Sequence, residues 1–225
     1  MRQRLLTGIA TIFVLFSAGL VARQAAAPAV DRWESDIAKF EAQDRQTPPP
    51  QNGVVFIGSS SIVRWNLAQS FPELGANAIN RGFGGSLMAD AARYVDRIVI
   101  PYKPRLVVLY EGDNDLMTTD TPEQINAQFT TFLDKVHAGV PDAKVIAIGV
   151  KPSVDRWAKL DRVRAINALM RAEASRRAYV TFVDVEKPML TADGKARPEL
   201  YVEDGLHMSP AGYEIWNAAV GPLLR

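Results

Sequence analysis

The sequence predicts an α/β protein, a three-layer α/β/α sandwich around a mostly parallel five-stranded sheet, and three observations point there. Apolar, β-branched runs recur at Val54–Ile57, Leu106–Tyr110, Val145–Val150 and Val180–Val185, with a shorter and more polar fifth at Ala78–Arg81. Continuous runs of this kind suit strands covered on both faces. Amphipathic stretches at helical spacing alternate with them, which is the pattern of parallel strands joined by helical crossovers. Finally, 225 residues with 48% apolar and 23% charged composition are enough for one domain with a sizeable core; a body of about 200 residues removes roughly 70% of its unfolded surface from water.

The N-terminus reads as an address. Arg2 and Arg4 precede an apolar stretch from Leu5 to Ala22, and Ala25, Ala26, Ala27 and Ala29 follow. Basic, apolar, then small is the order of a secretory signal peptide, with Ala-x-Ala cleavage after Ala27 or Ala29. The rival reading of residues 1–29 is an uncleaved anchor, against which Thr7, Gly8, Ser17 and Gly19 dilute the apolar stretch. Cleavage takes Arg2, Arg4 and Arg23 from the 26 basic residues and none of the 25 acidic ones, leaving a net charge of −2 on an exported chain with no expected membrane partner. Residues 30–50 then form an N-terminal helix, with Trp33, Ile37 and Phe40 on one face, and a linker stiffened by Pro48, Pro49 and Pro50.

From residue 51 to 225 a single domain is expected, without internal repeat. Its clearest helix carries Ile125, Phe129, Phe132, Leu133 and Val136 on one face and opens with Thr121, Pro122 and Gln124 as cap, first position and capping-box partner. Another places Leu160, Val163, Ile166 and Leu169 on one stripe, and a last one starts at Ser209-Pro210 and buries Tyr213, Trp216 and Val220. The absence of cysteine excludes Cys-zinc sites, iron–sulfur clusters and thiol catalysis. The formal charge of +1 is well interspersed and no basic run stands out, so nucleic acid is not an expected partner.

Open α/β sheets place their chemistry beyond the carboxyl ends of the strands. Four segments there are polar or glycine-rich. Gly58-Ser59-Ser60-Ser61 follows a strand, and a serine at that turn serves either as an exposed nucleophile or as a helix cap. Gly82-Phe83-Gly84-Gly85-Ser86 either brings a backbone N–H close to a ligand or is an ordinary loop needing positive φ. In Gly112-Asp113-Asn114-Asp115 the Asn amide suits a growing oxyanion, while an Asx-turn or a metal held by Asp113 and Asp115 are the alternatives. Asp204-Gly205-Leu206-His207 sets an acid beside a base. The carboxylate could hold the imidazole proton during proton transfer, or the two form only a surface pair. The other histidine, His137, ends a helix and reads as structural. Together, a hydroxyl, a glycine amide, an amide side chain and a His with its Asp are the parts of acyl transfer through a tetrahedral oxyanion.

The order Gly-x-Ser, Gly, Gly-x-Asn-Asp, Asp-x-x-His resembles the SGNH hydrolases, also called the GDSL esterase/lipase family, over the body from about Val54 to the final helix. The resemblance implies a flavodoxin-like architecture and metal-free hydrolysis of esters or thioesters. It further implies Ser60 as nucleophile, His207 as base and Asp204 as its orienting acid. The implied oxyanion hole is the backbone N–H of Ser60, the backbone N–H of Gly85, with Gly84 adjacent, and the side-chain amide of Asn114. Ser59 and Ser86 stand where the family usually has Asp and often has Asp, respectively, which leaves three adjacent serines to choose among and predicts altered loop hydrogen bonding. The expected function is an exported serine esterase acting on small acyl, acetylated-sugar or lipid esters, with no cofactor and no metal. The alternatives are an acyltransferase to sugar hydroxyls with the same residues, a metal-dependent phosphohydrolase on Asp113, Asp115, Asp204 and His207, and an inactive carbohydrate-binding module. Trp65, Phe83, Met117, Trp157 and Met208 either line an acyl pocket or belong to the core, the connection from Lys151 to Trp157 could cover the site, and Arg64 or Arg81 could meet a polar substrate.

Overall fold

The computed structural model describes residues 32–225. The signal-peptide or anchor segment therefore lies outside the described residues. Five strands form one sheet: β1 (Val54–Gly58), β2 (Ala78–Gly82), β3 (Leu106–Tyr110), β4 (Lys144–Ile148) and β5 (Val180–Val183). Their order is β2-β1-β3-β4-β5 and every pairing is parallel. This is the flavodoxin-like order, whose direction of winding reverses between β1 and β3.

Each strand divides its residues between two cores, because successive side chains point to opposite faces. Val55, Ile57, Val107 and Leu109 face one core with α1 (Glu34–Gln46), α4 (Met88–Ile98), α5 (Pro122–Gly139) and α6 (Leu160–Ala174). Val54, Phe56, Leu106, Val108 and Tyr110 face the other, with the short α2 (Ser60–Val63) and α3 (Leu67–Ser70) and the C-terminal α7 (Pro210–Val220). Central β1 and β3 are buried at every position, whereas edge strands β2 and β5 are half-exposed. The apolar signal at Ala78–Arg81 is weak for that reason.

The N-terminal helix packs into the same compact unit as the sheet. Trp33 and Ile37 are buried in the first core, and Arg97 of α4 bonds Glu34 and Glu41 of α1. The predicted Thr121 and Gln124 capping box is present at α5. Along α6 the buried stripe is Val163, Ile166, Asn167 and Met170, so Met170 takes the place expected of Leu169, which is half-buried. Tyr213 is likewise half-buried, and its hydroxyl donates to the Ser61 carbonyl at 2.8 Å.

Candidate active site

Gly58 ends β1 and makes the turn into α2. A Cβ on it would lie 2.1 Å from the Tyr110 carbonyl oxygen, so only glycine lets β1 and β3 leave the sheet this close together. The chain then presents three serines. Ser59 and Ser61 are buried, and Ser60 is the one with access to the surface. Its Oγ lies 2.9 Å from His207 Nε2, and His207 Nδ1 lies 2.6 Å from Asp204 Oδ2. The ionised carboxylate of Asp204 can only accept, so Nδ1 carries a proton; when the ring is neutral, Nε2 accepts and the Ser60 hydroxyl donates. The other Asp204 oxygen accepts the backbone N–H groups of Leu206 and His207 at 2.9 and 2.8 Å, closing a turn that aims the imidazole. The hydrogen bond from His207 and those two amides hold the Asp204 carboxyl well below the usual carboxylate range.

The loop after β2 passes directly beside this pair. A Cβ on Gly84 would lie 3.7 Å from Ser60 Cβ, and Gly85 adopts φ +87°, a conformation that L side chains rarely take. The backbone N–H groups of Ser60 and Gly85 have no hydrogen-bond partner among the described residues. Asn114, just beyond β3, makes no Asx-turn. Its Nδ2 donates to the Ser86 carbonyl at 3.0 Å, which leaves its second N–H for a ligand. The Gly84–Ser86 loop thus touches both Ser60 and Asn114, at the switch point between β1 and β3 where such folds bind ligands.

The neighbouring acids are turned inward. Asp113 is buried between Lys151 Nζ and Arg156 Nη1, each at 2.5 Å, and accepts from the Tyr110 hydroxyl at 3.0 Å. Burial alone would raise its carboxyl, but the two cations outweigh this and hold it below its ordinary value. Asp115 accepts the Met88 N–H at the start of α4 with both oxygens at 3.2 Å, and burial pushes it up to about 6. Among the described residues no three His, Asp or Glu side chains are grouped as ligands of one metal would be. Asp113 and Asp115 are committed to the ion pairs and the helix start instead of converging with Asp204 and His207 as the phosphohydrolase reading requires.

Several other expectations change. Arg81 is buried and bound to Asp44 and Tyr102, so it does not face a substrate. Phe83 is a core residue, Trp65 and Met208 are buried but also border a groove, and Met117 is exposed, while His137, expected to be structural, stacks on Tyr179 at 4.4 Å. Four participants escaped the sequence reading of this centre. Glu111 is fully buried and accepts from Ser86 Oγ at 2.5 Å, so a carboxyl group stands opposite Ser86. Burial raises the Glu111 carboxyl well above its ordinary range, although the Ser86 bond opposes this. A charged residue immediately after the apolar run of β3 was the signal for it. Lys151, Arg156 and the Ser86 carbonyl had none, because their partners are remote in sequence.

Comparison with known proteins bears on the fold and the family. The chain is similar to a protein from Streptococcus pneumonia at 20% identity and a TM-score of 0.76, over 85% of this chain and 92% of that one. It is similar to a GDSL-like lipase from Bacteroides thetaiotaomicron at 21% identity and a TM-score of 0.70, over 84% and 97%. A variant of an acetyl-xylooligosaccharide esterase from Geobacillus matches at 18% identity and a TM-score of 0.63, over 78% and 95%. No curated protein matches the sequence. At these identities the structures carry the fold alone. The sequence model of the GDSL-like lipase/acylhydrolase family, however, matches residues 58–215, from the glycine that ends β1 into α7, and so takes in every segment that meets at Ser60. On that match the chain belongs to the GDSL-like lipase/acylhydrolase family.

Proposed function

We propose that this carboxylic ester hydrolase works through Ser60 as nucleophile, His207 as general base and Asp204 as the group that orients and charges the imidazole, on esters of small acyl groups. The observation that carries the reading is the unbroken chain from Ser60 Oγ through His207 to Asp204, at 2.9 and 2.6 Å. As Ser60 attacks the ester carbonyl, His207 takes its proton and the imidazolium is stabilised by Asp204. The carbonyl oxygen becomes an oxyanion that the Ser60 and Gly85 backbone N–H groups and the free Asn114 N–H can meet. His207 then gives the proton to the departing alcohol, leaving an acyl-enzyme that water cleaves by the same steps in reverse roles.

For the alcohol side we favour an acetylated sugar over a long-chain lipid. A groove of about 570 Å³ is lined by Trp65, Met208 and Pro210 together with Arg64, Asn66, Gln69 and Glu214; Arg64 also borders a hollow with Asp204, and these polar side chains offer a sugar alcohol hydrogen-bonding partners. An acetyl-xylooligosaccharide esterase among the similar structures agrees with that choice. Export rests on the signal-like residues 1–29, and N-terminal sequencing of the mature protein tests it, with Pro28 or Val30 expected first.

A fluorophosphonate probe tests the central assignment. It is expected to label the wild type, Ser59→Ala and Ser61→Ala, and to spare Ser60→Ala, which also loses turnover of p-nitrophenyl acetate. Full activity in Ser60→Ala overturns the assignment. Faster release of acetate from acetylated xylan than of octanoate from its p-nitrophenyl ester is expected; the reverse order removes the sugar reading alone.

A further inference from the structure

Asn114 is held at both ends of its amide. Its Nδ2 donates to the Ser86 carbonyl at 3.0 Å, and its Oδ1 accepts from Arg156 Nη2 at 3.2 Å. The other terminal nitrogen of that guanidinium bonds both the carbonyl and the carboxylate of Asp113, the residue just before Asn114. The Arg156 side chain is only 10% exposed, so water competes weakly for these bonds. Arg156 sits on the connection between β4 and α6, the same stretch in which the Asp155 N–H donates to the Gly205 carbonyl at 3.0 Å, inside the Asp204–His207 turn.

These partners remove an ambiguity that an asparagine otherwise has. Its two amide ends are nearly the same size, and a half-turn would present Oδ1, not an N–H, to a developing negative charge. The Ser86 carbonyl can only accept and the Arg156 guanidinium can only donate, so one orientation satisfies both and the other satisfies neither. A cationic donor on Oδ1 also draws electron density from the amide and makes the remaining N–H a stronger donor. Arg156 shares Asp113 with Lys151 and lies 3.8 Å from Asp155 Oδ2 as well, so acids on two sides hold the guanidinium against the amide.

We infer that Arg156 is a positioning residue of the oxyanion hole, acting through Asn114 by fixing and polarising its side-chain amide. The inference rests on the ester-hydrolysis reading above, in which Asn114 donates to the oxyanion. Because the donor matters more to the oxyanion than to the bound ester, loss of Arg156 should appear in kcat and spare KM.

The test is a double-mutant cycle on p-nitrophenyl acetate hydrolysis by the full chain, with Arg156→Gln, Asn114→Ala and the pair. Arg156→Gln alone is expected to lower kcat about tenfold to a hundredfold, with KM changed by less than about threefold. In the Asn114→Ala background the same substitution is expected to have no further effect, since the group it acts through is gone. Arg156→Lys keeps the charge without the planar fork and should recover part of kcat; it carries the cycle if Arg156→Gln unfolds. An equal loss from the Arg156 substitution in both backgrounds overturns the inference and leaves the oxyanion role of Asn114 standing. An Asn114→Ala enzyme with the kcat of the wild type overturns both.

Discussion

His207 Nε2 lies 2.9 Å from Ser60 Oγ although 147 residues separate the two in the chain. The approach depends on two turns, the Gly58 exit from β1 and the Asp204–His207 turn closed by the Asp204 carboxylate. Asp204 fixes the tautomer as well as the direction of the ring. Asp204→Asn is therefore expected to lower kcat by roughly 10³–10⁴ while the domain stays folded; loss of less than about tenfold would contradict the assigned role.

The same pair gives the fold a pH dependence. Hydrogen bonding from His207 holds Asp204 below its ordinary carboxylate value. The sign is the usual one for a depressed acid: what the ionised Asp204 contributes is present above its unfolded value of about 3.8 and is lost as pH falls further. Asp204→Asn is expected to flatten the acid-side fall in thermal midpoint; an unchanged acid dependence would contradict that contribution.

In the proposed mechanism Asn114→Ala removes an oxyanion donor, and it also removes the bonds of that amide with the Ser86 carbonyl and Arg156. The expected loss is about 10²–10³ in kcat, with a thermal midpoint lowered by a few degrees at about 1 kcal/mol per lost bond. Unchanged kcat, measured with p-nitrophenyl acetate, would take Asn114 out of the oxyanion hole.

Glu111 makes a stability prediction of the opposite sign to that of Asp204. Burial raises its carboxyl well above the 4.5 of the unfolded chain. Above 4.5 the unfolded chain releases a proton that the folded chain holds more tightly, so this group's contribution to stability falls as pH rises. Glu111→Gln keeps a neutral group of the same shape beside Ser86 and escapes that loss. Its thermal midpoint relative to the wild type should rise as pH increases above 4.5; a pH-independent difference would contradict the raised carboxyl.

Gly58→Ala tests the crossing of β1 and β3. The added Cβ would overlap the Tyr110 carbonyl, so the expected cost is more than about 2 kcal/mol, a fall of about 5 °C or more in midpoint, together with slower fluorophosphonate labelling of Ser60. A variant as stable and as reactive as the wild type would contradict that packing.

The sequence by itself determined the layers and the parallel sheet, because unbroken apolar runs and 3.6-residue periodicity are local properties that burial on both faces demands. It also determined which four segments are chemical in character. Within Asp204–His207 it set an acid three residues from a base, a spacing the local turn turns into contact. Contacts between remote segments were decided only by the tertiary structure. Among three equivalent serines, packing buries Ser59 and Ser61 and leaves Ser60 facing His207. Arg81 is buried against Asp44 across 37 residues, and Arg156 reaches Asn114 across 42. No periodicity encodes such pairs: they arise when the winding of the sheet brings loops together, and the dielectric of that junction decides which acids keep their charge.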